Sequence, residues 1–211
     1  VNSSDTGGTT PLIQACQSAS AGLVQLIIDA GADVDHHDDT GLTALMYASR
    51  RGELGCMRAL LGAGAGVDTR SGNGCTALMF ATHQGGSEAI KALLEAGANV
   101  DAQDEYGLTA LMYACHPPYG YWPPHQISPL LAAGTDLEMR DNLGRTALMH
   151  AYIHRIHMRG AVEQLIEAGA DENAKDFSGN SADDYLEDDD SRYEDIWYEF
   201  KEEEDMGWPP D

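Results

Sequence analysis

Gly41-Leu-Thr-Ala-Leu-Met-Tyr-Ala48 recurs as Gly74-Cys-Thr-Ala-Leu-Met-Phe-Ala81, Gly107-Leu-Thr-Ala-Leu-Met-Tyr-Ala114 and Gly144-Arg-Thr-Ala-Leu-Met-His-Ala151, with Gly8-Thr-Thr-Pro-Leu-Ile-Gln-Ala15 ahead of them. Gly8, Gly41, Gly74 and Gly107 are each 33 residues apart; Gly144 follows after 37 and Gly179 after 35. A second series, Gly31, Gly64, Gly97, Gly134 and Gly169, runs in phase with the first. Self-similarity at such a period marks a repeat architecture. The unit is read five times, with a degenerate sixth. The frame divides the chain into an N-terminal segment, 1–7, a repeat domain, 8–182, and a C-terminal tail, 187–211. Its repeats fall at 8–40, 41–73, 74–106, 107–143 and 144–178, with a cap over 179–186.

Within one unit, Thr43 is a residue of N-cap type followed by strong helix formers, and Gly52 breaks the short helix that it starts. Leu54, Met57, Leu60 and Leu61 then recur at helical spacing, and Gly64 ends this second helix. The polar, glycine-rich stretch from Val67 to Gly74 suits an extended finger with a tight turn. Isolated helices shorter than about 12 residues are marginal in water, so the units must stack to acquire a core. The expected fold class is therefore an all-α solenoid of paired short helices with hairpin fingers.

The repeated octapeptides, together with Gly31-Ala-Asp-Val-Asp and Gly97-Ala-Asn-Val-Asp, closely resemble the ankyrin repeat over residues 8 to about 182. Two departures stand out. Ala replaces the family's usual Pro after Thr in four copies, and Ile13, Met46, Met79, Met112 and Met149 stand where a His is usual. Loss of that histidine removes a hydrogen bond near the hairpin, so more reliance on apolar packing is expected. The resemblance implies protein recognition through finger tips and the inner helices of a concave face. The matching tip positions include Asp39, Leu42, Glu105, Tyr106, Leu108, Leu143 and Arg145, with Thr40, Gly72, Asn73, Cys75 and Asn142. The inner-helix positions are Gln17, Ser18, Arg50, Arg51, His83, Gln84, His116 and His154. Leu42, Tyr106, Leu108 and Leu143 read as an exposed apolar row.

Where the repeats break their own pattern, function is sought. Repeat four carries the insertion His116-Pro-Pro-Tyr-Gly-Tyr-Trp-Pro-Pro-His125, in which four prolines preclude a helix, and Pro129 shortens the helix that follows. Tyr119, Tyr121 and Trp122 on this stiff loop either anchor a partner or fold back over the shortened helix. In repeat five, His150, His154 and His157 lie at i, i+4 and i+7 and offer a candidate metal face without an obvious fourth ligand. The other reading makes His150 a stacking residue, since it takes the place of Tyr47, Phe80 and Tyr113.

Twelve basic residues against 35 acidic ones give a net charge of -23 and argue against binding nucleic acid or an anionic membrane surface. No apolar run is long enough for a transmembrane helix. The fingers hold 14 of the 21 acids that precede residue 183. Asp35, Asp68, Asp101 and Glu138 form a ladder where the family usually has Asn; such a rail calls for solvent, counterions or a basic partner. From Asp183 onward, 14 acids against two bases leave -12 on the last 29 residues. Tyr193, Ile196, Trp197 and Phe200 give that tail one apolar helical face, read either as a cap on the solenoid or as a docking motif. Cys16, Cys56, Cys75 and Cys115 lack metal-site spacing and read as reduced, buried small residues; Cys16 and Cys115, three units apart, are too distant to pair.

The sequence thus points to a non-enzymatic protein-protein interaction module without a cofactor. Its expected partner is a basic protein held by the concave face, the finger tips and the aromatic loop, in the manner of an inhibitor or immunity protein. A general scaffold whose charge serves only solubility is one alternative. A metal-dependent enzyme or sensor at His150, His154 and His157 is another. A monomer and a cytoplasmic location are expected; the opening Val1 leaves an earlier signal peptide open.

Overall fold

A computed structural model describes residues 1–82, 86–115, 126–153 and 155–186, with the side chains of 155–159 and 186 left aside. His83, Gln84, His116, Tyr119, Tyr121, Trp122, His154, the imidazole of His157 and the tail 187–211 lie outside the described residues. The described chain falls into two units, residues 1–99 and residues 100–186.

In the first unit the helices come in pairs: α1 (Pro11–Gln17) with α2 (Ala21–Asp29), α3 (Ala44–Arg51) with α4 (Leu54–Gly62), and α5 (Ala77–Phe80) with α6 (Gly86–Glu95). The second unit holds α7 (Ala110–Ala114) and α8 (Ile127–Ala132), α9 (Ala147–Ile153) and α10 (Arg155–Glu167), and a closing 3-10 turn over Ala182–Leu186. Among the described residues there is no strand; the fingers are tight turns, and only the isolated pairs His37 with Thr43 and Gln103 with Thr109 bridge.

The threonine of each repeated octapeptide starts its helix. Thr10, Thr43 and Thr109 are extended, and their hydroxyls accept from the N–H groups of Ile13, Met46 and Met112 at 3.4, 3.3 and 3.3 Å. The methionine three residues on contributes more than bulk. The N–H of Thr76 donates to the Met79 sulfur at 3.4 Å, and that of Thr146 to the Met149 sulfur at 3.5 Å. A weak sulfur acceptor thus serves an N-terminal N–H, in addition to the apolar packing expected at these positions.

α5, α7 and α9 are buried over their whole length and α3 over residues 44–49, whereas α2, α4 and α6 bury one face. Leu45, Met46, Met57, Leu60, Leu78, Met79, Ile90 and Leu93 form the core of the first unit, and Leu111, Met112, Ile127, Leu130, Leu148, Met149 and Leu165 that of the second. Full burial of such a side chain contributes about 1.5–3 kcal/mol, which helices of four to 13 residues cannot obtain alone.

The fingers close the layers along their tips. The N–H of Asp39 donates to the Gly7 carbonyl and that of Gly72 to the Thr40 carbonyl. In the second unit the N–H of Asn142 donates to Tyr106 and that of Phe177 to Leu143. Gly41 sits at such a contact with φ +79, and a Cβ there would lie 2.5 Å from the Gly72 nitrogen. Gly31, at φ +84, has open space around the same position. Gly41→Ala should therefore cost about 3 kcal/mol, strain and backbone collision together. Gly31→Ala should cost about 1 kcal/mol, the left-handed penalty alone. Urea unfolding of both variants checks the difference.

Candidate functional site

The fingers carry most of the sequence-predicted contact residues, and in four of the five the turn rests on one buried acid. Asp38 Oδ1 accepts from the N–H groups of Thr40 and Leu42 at 2.9 and 3.0 Å, and its Oδ2 accepts from the Tyr47 hydroxyl at 2.7 Å. Asp104 repeats the arrangement with Tyr106, Leu108 and Tyr113, the last at 2.7 Å. Asp176 does so with Ser178, Asn180 and Tyr185. One oxygen holds the turn and the other ties it to the helix nine residues on.

The fourth case substitutes the partner. Asp141 Oδ1 accepts from the N–H groups of Leu143 and Arg145, while Oδ2 meets Arg145 Nε at 2.7 Å and His150 Nε2 at 2.9 Å. His150 is therefore the stacking residue, engaged through Nε2 by a carboxylate, and it does not present that nitrogen to a metal. Burial alone would raise the Asp141 carboxyl, but the hydrogen bond and charge of His150 and the charge of Arg145 hold it at about 2. Burial pushes the His150 imidazole below its ordinary value, against the pull of its bond to Asp141. In the remaining finger Ser71 replaces the acid and Phe80 the tyrosine; Ser71 Oγ still accepts from Cys75 N–H at 3.1 Å. The acid and the hydroxyl are absent together.

Beside the greater apolar packing expected from loss of the family's histidine, this network adds polar contacts at the neighbouring helix position. Tyr47, Tyr113, His150 and Tyr185, one residue further along in their repeats, supply polar links to the hairpins.

The four acids of the ladder have a structural task that their spacing hid. Asp35 accepts from Gly66 N–H at 2.7 Å and Asp68 from Asn99 N–H at 2.9 Å. Asp101 accepts from Asp136 N–H at 3.0 Å and from the Thr135 hydroxyl at 2.8 Å; Glu138 accepts from Asp171 N–H at 2.9 Å. Each ladder acid thus caps a backbone donor of the following finger. Charge-assisted acceptance of a backbone N–H offsets the repulsion between neighbours. These residues are acceptors between fingers first, and a rail for a basic partner only through what they leave exposed.

The predicted apolar row is corrected as well. Leu42 and Leu108 are 2% and 7% exposed, because the residue after the finger glycine turns inward just ahead of the helix cap. Cys75 and Arg145 hold the same position and are also buried, Arg145 against Asp141. These four are removed from the tip surface. Tyr106 is half-buried and Leu143 is 48% exposed, as a tip residue should be. Phe177, which the sequence did not single out, is 75% exposed. It occupies the turn position of Asp39, Gly72, Glu105 and Asn142, and that register is the signal that would have found it. The Phe177 N–H bonds to the Leu143 carbonyl, so the two apolar tips are neighbours. Asp39 and Glu105 are exposed at their tips, the Glu105 carbonyl accepting from Asn142 Nδ2 at 2.9 Å. On the inner helices Gln17, Ser18 and Arg51 are exposed and Arg50 is half-buried.

All four cysteines are free and buried. Burial, with the neighbouring Cys56 thiol, pushes Cys16 up to about 12. Among the described residues no group of three or more metal-ligating side chains gathers, and no helix is long and apolar enough to cross a membrane.

Two measurements follow from the turn network. Tyr113→Phe leaves a buried Asp104 oxygen without its hydroxyl donor and should cost about 1–3 kcal/mol. Asp104→Ser with Tyr113→Phe, which imitates the Ser71 and Phe80 pair, should cost less than Tyr113→Phe alone. Urea titration of the three proteins decides this. The second concerns pH. The unfolded imidazole takes up a proton as pH falls through about 6.5 while buried His150 resists it, so stability is lost on acidification below that value. The Asp141 contribution is present above about 3.9 and is lost only as pH falls toward about 2, outside this window. His150→Tyr, which installs the hydroxyl used by the sister repeats, should flatten the decline between about pH 7 and 5 seen in thermal unfolding.

The chain matches the family described as ankyrin repeats (3 copies) over residues 1–71 and 54–121, and the single ankyrin repeat over 143–177. No curated protein matches it. With most of its length covered by these matches, the chain belongs to the ankyrin repeat family.

Proposed function

We propose that this chain is a non-enzymatic binding module for a basic protein, with a principal contact at the finger tips Tyr106, Leu143 and Phe177 and the neighbouring Glu105. Ankyrin repeats are protein-protein interaction modules, and that coarse function is given by membership. The observation that carries the finer reading is the pair of exposed apolar tips, Leu143 and Phe177, side by side on turns held by buried carboxylates. An apolar side chain on a pre-set turn buries area against a partner with little ordering cost. Aromatic side chains are enriched at interface cores, and Phe177 and Tyr106 supply them at these tips.

A basic partner is favoured by the charge of -23 and by the exposed Asp35, Asp39, Asp68, Glu105 and Glu138. Charge of this kind steers encounter more than it fixes affinity. Arg50, Arg51 and His83 on inner-helix positions, together with Tyr119, Tyr121 and Trp122 of the insertion, complete the proposed contact set. Inhibition of a basic enzyme is the narrower form of the same proposal.

The partner recovered by co-purification supplies the test. Leu143→Ala with Phe177→Ala should weaken its binding by about tenfold or more, while the unfolding midpoint stays close to that of the parent. Capture should fall steeply between low and high salt as the charges are screened. Salt-insensitive capture would reject the basic partner, and undiminished binding by the double variant would reject the tips.

A further inference from the structure

Cys16 and Cys56 are 40 residues apart in sequence and meet in the core of the first unit. Cys16 stands in the last turn of α1 and Cys56 in the first turn of α4, so their contact crosses from the first helix pair to the second. The Cys16 thiol donates a hydrogen bond to the Cys56 sulfur. Both thiols are free, and the residues are 0% and 1% exposed. In the repeat register the place of Cys16 is taken by Ser49, Thr82 and Cys115, and that of Cys56 by Ala89, Gln126 and Ala161. Only the boundary between the first two helix pairs carries cysteine in both columns.

Sulfur atoms close enough to share a proton need only a further approach to bond at about 2.05 Å. Burial pushes both thiols above their ordinary values. The thiolate is the attacking species, so the closed layers protect the pair and reaction waits on local opening. A place for that opening lies three residues beyond Cys16. Ala19 has φ +55 in the turn out of α1, where Gly52 fills the same position after α3 with φ +66. A side chain in the left-handed region stores strain that glycine does not.

We propose that Cys16 and Cys56 form a redox site: a small disulfide of the glutathione type oxidises them to an internal disulfide that staples the first helix pair to the second. In the opened layer Cys56, whose thiolate the Cys16 S–H stabilises, attacks one sulfur of oxidised glutathione; a mixed disulfide forms and glutathione thiolate leaves. The Cys16 thiolate then attacks the Cys56 sulfur, the mixed disulfide breaks, and the second glutathione thiolate leaves. The two protons lost by the cysteines pass to the two departing thiolates, and the electron pair reduces one disulfide as the other forms. The bond closes a loop of about 40 residues in the unfolded chain, which favours the folded form. The staple lies in the first unit, away in sequence from Leu143 and Phe177, so failure of either proposal leaves the other standing.

The 211-residue chain, refolded from urea in a mixture of oxidised and reduced glutathione, tests this with access to every thiol assured. Acid quenching, alkylation in denaturant and peptide mapping should return a chain lighter by two hydrogens before alkylation, with Cys75 and Cys115 alkylated and the peptides of Cys16 and Cys56 joined. That chain should unfold about 5 °C or more above its reduced form. Cys16→Ser with Cys56→Ala, which copies Ser49 and Ala89 of the next boundary, should fold, form no internal bond and keep one midpoint in oxidising and reducing buffer. Recovery of the four parent cysteines as alkylated thiols or single glutathione adducts overturns the proposal. So does a bond that engages Cys75 or Cys115, or an oxidised chain no more stable than the reduced one.

Discussion

The buried finger carboxylate is the interaction on which the rest of the structure depends. Asp38, Asp104, Asp141 and Asp176 each divide their two oxygens between a turn and a helix. A desolvated carboxylate is tolerable only when its lone pairs are filled, and here backbone N–H groups and a hydroxyl or imidazole fill them. The bond from turn to helix ties four of the five fingers to their layers. The placement of Leu143 and Phe177 follows from those ties.

The acidic character acquires two meanings once these bonds are seen. Turn acids are internal struts, shut away from any partner. Ladder acids are links between fingers, and three of them, Asp35, Asp68 and Glu138, remain exposed. A net charge of -23 therefore overstates the charge on offer to a ligand, because part of it is bound into the backbone network. What recommends a binding surface is instead a local contrast, two apolar tips in register beside acidic neighbours.

The fold was legible because its signals are local and repeated. Thr caps, C-terminal glycines and the apolar spacing of Leu54, Met57 and Leu60 appear several times in phase, so chance errors in one copy are corrected by the others. The finger turns were legible from their polar, glycine-rich composition, which favours tight turns for a local reason. The site was less legible. Leu42 and Leu108 looked like tip residues because they adjoin the finger glycine, yet the chain has already turned inward there. Phe177 escaped notice because the tip positions were read over the first four fingers, residues 39 to 145, and not over the fifth. Asp35 and Glu138 resembled a charged rail because sequence spacing does not reveal a backbone donor 31 or 33 residues away.

The sequence by itself determined the repeat, its period, the helix starts and stops and the need for stacking, all consequences of short-range preference and periodic hydrophobicity. Only the tertiary structure decided which polar groups meet: Tyr47 with Asp38, His150 with Asp141, Asn2 with Asp33. It also decided which apolar residues face water, Phe177 and Leu26 among them. The reason is physical. A backbone conformation is selected largely by neighbours along the chain, whereas burial and hydrogen-bond pairing depend on layers that a single repeat does not contain.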